Sequence, residues 1–399
     1  MSTRLLPDWL DSYITYTENS EPPRLYHIWT GISVLAAALR RKCVLNWGTI
    51  PFYPNMYIVL IGPSGRCRKG TAMSAGFRLL RTLGLKIAAE SITREALIKE
   101  LRLANDTTIN PDQPTSMKMH ASLTIYSQEL TVFLGYNNQQ LMADLADWYD
   151  CRDKWTYRTK NMGTDEIHGV WVNLFGATTP ELLQTTLPRD AVGGGLTSRM
   201  IFVYEQKKAK TVVCPFQTPA EIELEGQLIA DLERISIMSG EFKVTDEFVE
   251  LWSKWYTDTD NLPPIFDDYR FSGYVERRPT HLLKLCCILN ASRTGDMVIT
   301  GDDFKRALAI MKMTEVRMPF TFSGMGKSKD SDVMQRVLAI LGMRGSMTRA
   351  ELQRKFYQDV DKAALDAIIA TLVDMKSIEV DYSSQTDIVI RFVEDPLNR

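Results

Sequence analysis

The feature that most constrains this chain is the apolar run Tyr57-Ile-Val-Leu-Ile61, followed at once by "GPSGRCRKGTA" (Gly62–Ala72) and by a helical pattern over Thr71–Leu83. Five consecutive apolar residues read as a strand buried on both faces, and the Gly/Pro/Ser-rich turn after it must deliver the chain into a helix. The alternation continues. Lys86–Ala89 reads as a short strand, Thr93–Ala104 as a helix, and Leu123–Tyr126, Val170–Phe175 and Met200–Tyr204 as strands of buried length. Strands separated by helical patterns predict a parallel, three-layer α/β core.

The turn after the first strand carries chemistry. A phosphate-binding loop needs glycines that let backbone N–H groups wrap phosphates, a lysine for the β- and γ-phosphates, and a Ser or Thr hydroxyl for Mg²⁺. Gly62, Pro63, Ser64 and Gly65 begin such a loop. Lys69 then arrives one residue late, Arg68 stands where glycine is usual, and Gly70 separates Lys69 from Thr71. These residues are the candidates for holding ATP, with Thr71 as a metal ligand. The competing reading is a Gly-rich strand-to-helix turn with surface cations.

Hydrolysis needs a carboxylate at the end of a neighbouring strand, and Glu129 follows Leu123–Tyr126, with Ser127 available for the Mg²⁺ water shell. A solvated turn carboxylate is the alternative for Glu129. In "GVWVNLFGATTPELL" a buried strand delivers Thr178 and Thr179 to the strand's carboxyl end, although Thr-Thr-Pro is also an ordinary helix start. Arg199, after Gly193–Gly195 in "VGGGLTSRMIFVYE", stands at the entry of an apolar strand. It is placed to reach the γ-phosphate of a nucleotide on a neighbouring subunit, with Arg189 as its rival. "CRDKWTYRTKNMG" interleaves Arg152, Lys154, Trp155, Tyr157, Arg158 and Lys160 around a hairpin tip. Cations for phosphates and aromatics for bases suit single-stranded DNA, and a charged surface hairpin with half-buried aromatics explains the same letters.

Length and composition bound the rest. With 399 residues, 45% of them hydrophobic, the chain can build two or three domains. We expect a cytoplasmic protein without a membrane partner, because no stretch approaches eighteen apolar residues and the N-terminus lacks a signal-peptide pattern. The six cysteines and four histidines show no metal-ligand spacing. A net charge of −2 excludes a uniformly basic coat and leaves room for a locally basic channel. The predicted organisation is an N-terminal helical region (1–50), an ATPase core (51–215), a helical segment (216–322), a Gly/Ser/Lys linker (323–332) and a C-terminal domain (333–399). Within the last, three helical patterns and a hairpin, Ile378–Tyr382 with Ile388–Val393, follow the order of a winged helix, and Thr348 with Glu351 forms a possible capping box.

Together these stretches resemble P-loop ATPases of bacteriophages and prophages that act as replicative or primase-associated helicases. The arrangement is also similar to minichromosome-maintenance and superfamily-three viral helicases, of the AAA+ class. The resemblance implies an AAA+/RecA-like core with a helical lid and a winged helix, ATP and Mg²⁺ as cofactors, single-stranded DNA as partner and a ring, expected to be a hexamer, in a bacterial host cell. It implies that Lys154, Arg158 and Lys160 contact DNA, that Thr179 is the sensor-one residue, that Arg199 is the arginine finger, and that Arg277 or Arg278 is the sensor-two arginine. Ser127 departs from the usual Walker B aspartate. A separate primase or loader would supply priming. The alternative functions are an ATP-gated initiator or helicase loader and, less suited to a basic hairpin, a remodeller of protein.

Overall fold

In a computed structural model, residues 4–110, 113–159, 163–187, 193–263, 265–322, 329–357, 359–375, 377–381 and 388–393 are described. The chain divides into two compact units, residues 1–323 and 324–399. The N-terminal helices, the sheet and the later helices therefore share one unit. Among the described residues no helix is long and apolar enough to cross a membrane.

The first unit opens with α1 (Trp9–Tyr16) and α2 (Arg24–Leu39). From Tyr26 to Leu39 every residue of α2 is buried, so this helix belongs to the core rather than to a separate domain. Next come β1 (Cys43–Trp47), β2 (Ile50–Phe52), β3 (Tyr57–Ile61), α3 (Lys69–Arg81), α4 (Arg94–Leu103), β4 (Asn105–Asn110), β5 (Gln113–Ser127), α5 (Leu130–Leu134) and α6 (Gln139–Tyr149). They are followed by β6 (Lys154–Thr159), β7 (Gly163–His168), β8 (Val170–Thr178), α7 (Pro180–Thr186), β9 (Met200–Tyr204), α8 (Pro219–Ser236), β10 (Gly240–Val244), α9 (Asp246–Asn261), α10 (Ser272–Arg293), β11 (Val298–Ile299) and α11 (Gly301–Glu315).

The fold is α/β with mixed sheets. The main sheet runs β4-β5-β8-β3-β9, parallel throughout except for β4, which pairs antiparallel with the first half of β5. All five residues of β3 are buried because strands flank it on both sides, which is why the sequence shows an unbroken apolar run there. The expected strand over Lys86–Ala89 is reduced to a single parallel bridge, Ile87 with Thr124, at the far side of β5.

A second sheet, β11-β10-β1-β2, adds strand β1 to the end of an N-terminal region that is otherwise mostly helical. Its strand β1 pairs with β10, almost two hundred residues later, at Cys43–Gly240 and Leu45–Phe242. Short strands with an irregular pattern give no local sign of such pairing.

The second unit contains α12 (Lys329–Arg344), β12 (Ser346–Thr348), α13 (Arg349–Phe356), α14 (Lys362–Asp374), β13 (Ile378–Asp381) and β14 (Val389–Phe392). The strands form one antiparallel sheet, β12-β14-β13, and Val337, Leu341, Leu352, Phe356, Leu365 and Ile368 fill the core beneath it. Thr348 caps α13, accepting from the Glu351 N–H while the Glu351 carboxylate accepts from the Thr348 N–H at 2.8 Å.

Candidate functional site

The loop after β3 is held by its backbone. The Tyr26 hydroxyl donates to the Ile61 carbonyl at 2.6 Å, and the Cys67 thiol donates to the Glu205 carbonyl at 3.0 Å. Between them Gly62 is wedged so closely that a Cβ would lie 2.4 Å from the Glu205 carbonyl oxygen. Gly65 and Arg68 both adopt left-handed backbone, at φ +68° and +56°. The second value explains why glycine would suit position 68, since an L side chain in that region costs about 1–2 kcal/mol.

The loop ends where α3 begins, so the unbonded N–H groups of its first turn open toward the carboxyl end of the sheet. Lys69 is half-buried and donates to the Gly62 carbonyl at 2.6 Å, folding back over the loop. Burial pushes its ammonium below the usual lysine range, while the Cys67 thiol and the Glu129 and Glu181 carboxylates act in the opposite direction. Both carboxylates are near enough to Lys69 to act on it through space.

Glu129 comes from β5, whose last residue Ser127 pairs with Gly176 of β8. A Cβ at Gly176 would meet Leu130 at 3.1 Å, so this glycine lets α5 settle on the sheet and fixes where exposed Glu129 emerges. Thr178 is buried beside Ile61, and its carbonyl faces the Gly62 N–H. Thr179 caps α7, its hydroxyl accepting from the Leu182 N–H at 3.3 Å, and Glu181 stands in that first turn. Glu181 was missed in the sequence, although its place two residues after Thr179 was a usable signal.

Two assignments in the loop are corrected. Gly70, not Thr71, faces β5, since a Cβ on it would lie 3.3 Å from the Gln128 amide oxygen. Thr71 is one residue further round the helix and lines a cleft of about 270 Å³ with Tyr16, Asn19, Ser20, His27 and Phe216. The single inserted residue turns the hydroxyl about 100° away from the place a metal ligand would occupy. Arg68 points outward and bonds Glu21 at 2.7 Å; Lys208, at 2.5 Å, and Arg68 together hold the Glu21 carboxyl down at about 2. Ser127 is almost fully buried in the strand end. Among the described residues no three His, Cys, Asp or Glu side chains gather as a metal site.

The arginines lie at the other end of the sheet. Met200, directly after Arg199, pairs with Tyr57, the first residue of β3, whereas the loop follows Ile61, the last. Four strand steps separate the two ends, roughly 13 Å. Arg199 donates to the Asp150 carboxylate at 2.6 Å and to the Gly195 carbonyl at 2.8 Å. Arg277 joins the same carboxylate at 3.4 Å. Arg278 is removed as a candidate: it is buried and donates two hydrogen bonds to the Glu315 carboxylate, at 2.6 and 2.9 Å, with the Tyr274 hydroxyl donating to the same carboxylate. Arg189 lies outside the described residues.

The hairpin β6-β7 leaves the sheet at that same end, just before Val170 of β8. Strand alternation places Lys154, Thr156 and Arg158 on its exposed face and turns Trp155 and Tyr157 toward the body of the unit. There Trp155 packs edge-on against Trp148, and Arg94 stacks on the Tyr157 ring at 4.9 Å. The aromatics are therefore committed to packing, which favours the charged surface hairpin over base stacking for these two residues. Arg152 pairs with Asp147 at 2.6 Å, Lys154 with Glu166 at 2.9 Å, and Arg158 donates to the Thr164 hydroxyl. Lys160 lies outside the described residues. No family model matches the sequence, and no curated protein matches it.

Proposed function

We propose that this chain is an ATP hydrolase working as a ring on single-stranded DNA, a helicase or translocase of phage or mobile-element replication. One observation carries the reading: the loop, Lys69, Glu129 and Glu181 gather at the carboxyl end of the parallel sheet, while Arg199 and Arg277 are held at its amino end. The loop lies at a topological switch point, because the chain builds β5 and β8 on one side of β3 and then crosses to β9 on the other. A site split in this way is completed by a second copy arranged head to tail, which closes into a ring.

In this reading the α3 N-terminus and Lys69 hold the triphosphate, and Glu129 takes the proton of the attacking water. The cleft lined by Tyr16, His27 and Phe216 receives the base. Magnesium would be held by the phosphate oxygens, water and the Glu181 carboxylate, and would supply charge neutralisation on the phosphates. Arg199 and Arg277 act on the neighbour's nucleotide, which removes Arg277 as a sensor for its own chain's nucleotide. Lys154 and Arg158 grip the strand. Their exposed pairings are weak enough for phosphates to displace. The second unit serves as a winged helix. Its α14 exposes Asp366, Asp374, Ala367 and Ala370, which suits protein contact better than duplex DNA.

A second reading, an ATP-gated loader or initiator, is favoured by Gly70 in place of a metal-binding hydroxyl and by the acid-paired cations of the hairpin. The test is ATP hydrolysis with and without single-stranded DNA, for wild type, Lys69→Ala and Lys154→Ala/Arg158→Ala. Stimulation that is lost in both variants supports the motor. Hydrolysis indifferent to DNA favours the loader, and no hydrolysis in wild type removes both enzymatic readings.

A further inference from the structure

Behind the Asp150 cluster lies a buried polar network that the reading above does not use. Arg277, His281 and Lys284 are spaced i, i+4, i+7 and so form one stripe along α10. Arg277 meets Asp150 at the surface. His281, fully buried, bridges the two segments that carry the cluster: its Nδ1 contacts the Tyr149 hydroxyl at 2.9 Å and its Nε2 contacts the Ser198 carbonyl at 3.1 Å. Tyr149 immediately precedes Asp150, and Ser198 immediately precedes Arg199.

The proton positions follow from chemistry. A carbonyl only accepts, so Nε2 carries the hydrogen. Burial lowers the imidazole pKa to about 3, so the ring is neutral at pH 7 and Nδ1 is a bare acceptor for the tyrosine hydroxyl. One turn along, the Lys284 ammonium lies 3.8 Å from the centre of the Tyr149 ring and donates to the Tyr149 carbonyl at 3.2 Å and to Asn55 Oδ1 at 2.6 Å. Asn55 in turn donates to the Tyr149 and Val172 carbonyls, both at 3.0 Å. The backbone on both sides of the Arg199–Asp150 pair is thus fixed by α10.

We infer that His281 is a positioning residue for the arginines, setting Arg199 and Arg277 where a neighbouring copy's nucleotide can meet them. The inference rests on the proposed role of Arg199 across the subunit boundary. An arginine side chain helps only if its guanidinium reaches the developing phosphate charge, and a displacement near 1 Å can cost about a hundredfold in rate. Asp150 holds both guanidiniums while no nucleotide is opposite, and His281 fixes the backbone from which they extend.

The experiment separates the chain that gives the loop from the chain that gives the arginines. Arg199→Ala chains retain the loop, and Lys69→Ala chains retain the arginines. Mixed in equal amounts, they should recover about a quarter of wild-type hydrolysis, because one boundary in four joins an intact loop to an intact arginine. Adding His281→Leu to the Lys69→Ala chain should lower the recovered kcat roughly tenfold to a hundredfold with KM for ATP unchanged. The same change in the Arg199→Ala chain falls on an arginine end that already contributes to no active boundary, so the recovered rate should stay. His281→Gln, whose amide can still donate to the Ser198 carbonyl, should restore most of the loss. Tyr149→Phe removes one hydroxyl without emptying the core and should show the same asymmetry, more weakly. Equal losses from either chain with the Tyr149→Phe change, or no loss from the arginine-giving chain, would overturn the positioning role. Failure of the parental mixture to recover hydrolysis would instead overturn Arg199 as a group acting across the boundary, and the inference with it.

Discussion

The two ends of the five-stranded sheet are built differently. At the carboxyl end, the chemistry-bearing side chains are thinly bonded: Lys69 rests on one main-chain carbonyl, Glu129 is exposed, and backbone N–H groups of α3 stand open. At the amino end, Arg199 and Arg277 share a carboxylate, and His281, Lys284, Tyr149 and Asn55 form a continuous buried network behind them. A ligand-receiving surface must keep its donors free until the ligand arrives. A group that acts on another subunit's ligand must instead be held in advance, since its own chain gives it no substrate to organise around.

The sharpest test of this contrast uses one substitution at each end. Lys69→Ala and Arg199→Ala should each lower hydrolysis by about a thousandfold or more. They should differ in binding: on the isolated chain a fluorescent ATP analogue is weakened by Lys69→Ala and unaffected by Arg199→Ala. Equal weakening would break the contrast.

Backbone crowding gives the next effect. Gly62→Val should destabilise the fold by about 3 kcal/mol or more in urea unfolding, because the new side chain meets the Glu205 carbonyl, main chain that cannot move aside. Gly194→Ala, near the arginine end with nothing within 4 Å of its Cβ position, should stay within about 0.5 kcal/mol.

Acid should act on buried histidines. Burial lowers His27 to about 4, His120 to about 4 and His281 to about 3. Below pH 6.5 the unfolded chain binds protons that the folded chain refuses, so stability falls with acidification, by up to about 1.4 kcal/mol per pH unit for each histidine. The loss begins near the unfolded value and levels off below pH 3 to 4. Urea midpoints at pH 6.5 and 5.0 check the slope, and Tyr149→Phe, which removes the hydroxyl bonded to His281, should change it.

The smallest effect is at Arg68. Arg68→Val should be less stable than Arg68→Gly by about 1–2 kcal/mol, because only glycine relieves the left-handed backbone. Equal stabilities would mean that the loop relaxes on substitution, as a loop with few tertiary contacts can.

Much of this was legible in the letters. The apolar runs of β3, β8 and β9 announced buried parallel strands because burial on both faces leaves no room for alternation. The pairing of β1 with β10 was not legible, because it joins short strands almost two hundred residues apart. The loop and Lys69 were visible as a motif; Glu181 was missed because an acidic residue after Thr-Thr-Pro is also ordinary helix-start chemistry. Trp155 and Tyr157 stayed between two readings in the sequence because composition does not say which face of a hairpin is covered.

The sequence by itself determined the buried strands β3, β8 and β9, the helix after the loop and the glycines of the loop, since these follow from local periodicity and backbone freedom. Only the tertiary structure decided that Gly70 rather than Thr71 faces β5, that Arg278 is consumed by Glu315, and that Arg199 and Arg277 stand together at the end of the sheet remote from Lys69. Each of those outcomes depends on the direction a side chain takes from a helix or strand and on what long-range packing places opposite it. Neither quantity is written in the spacing of neighbouring residues.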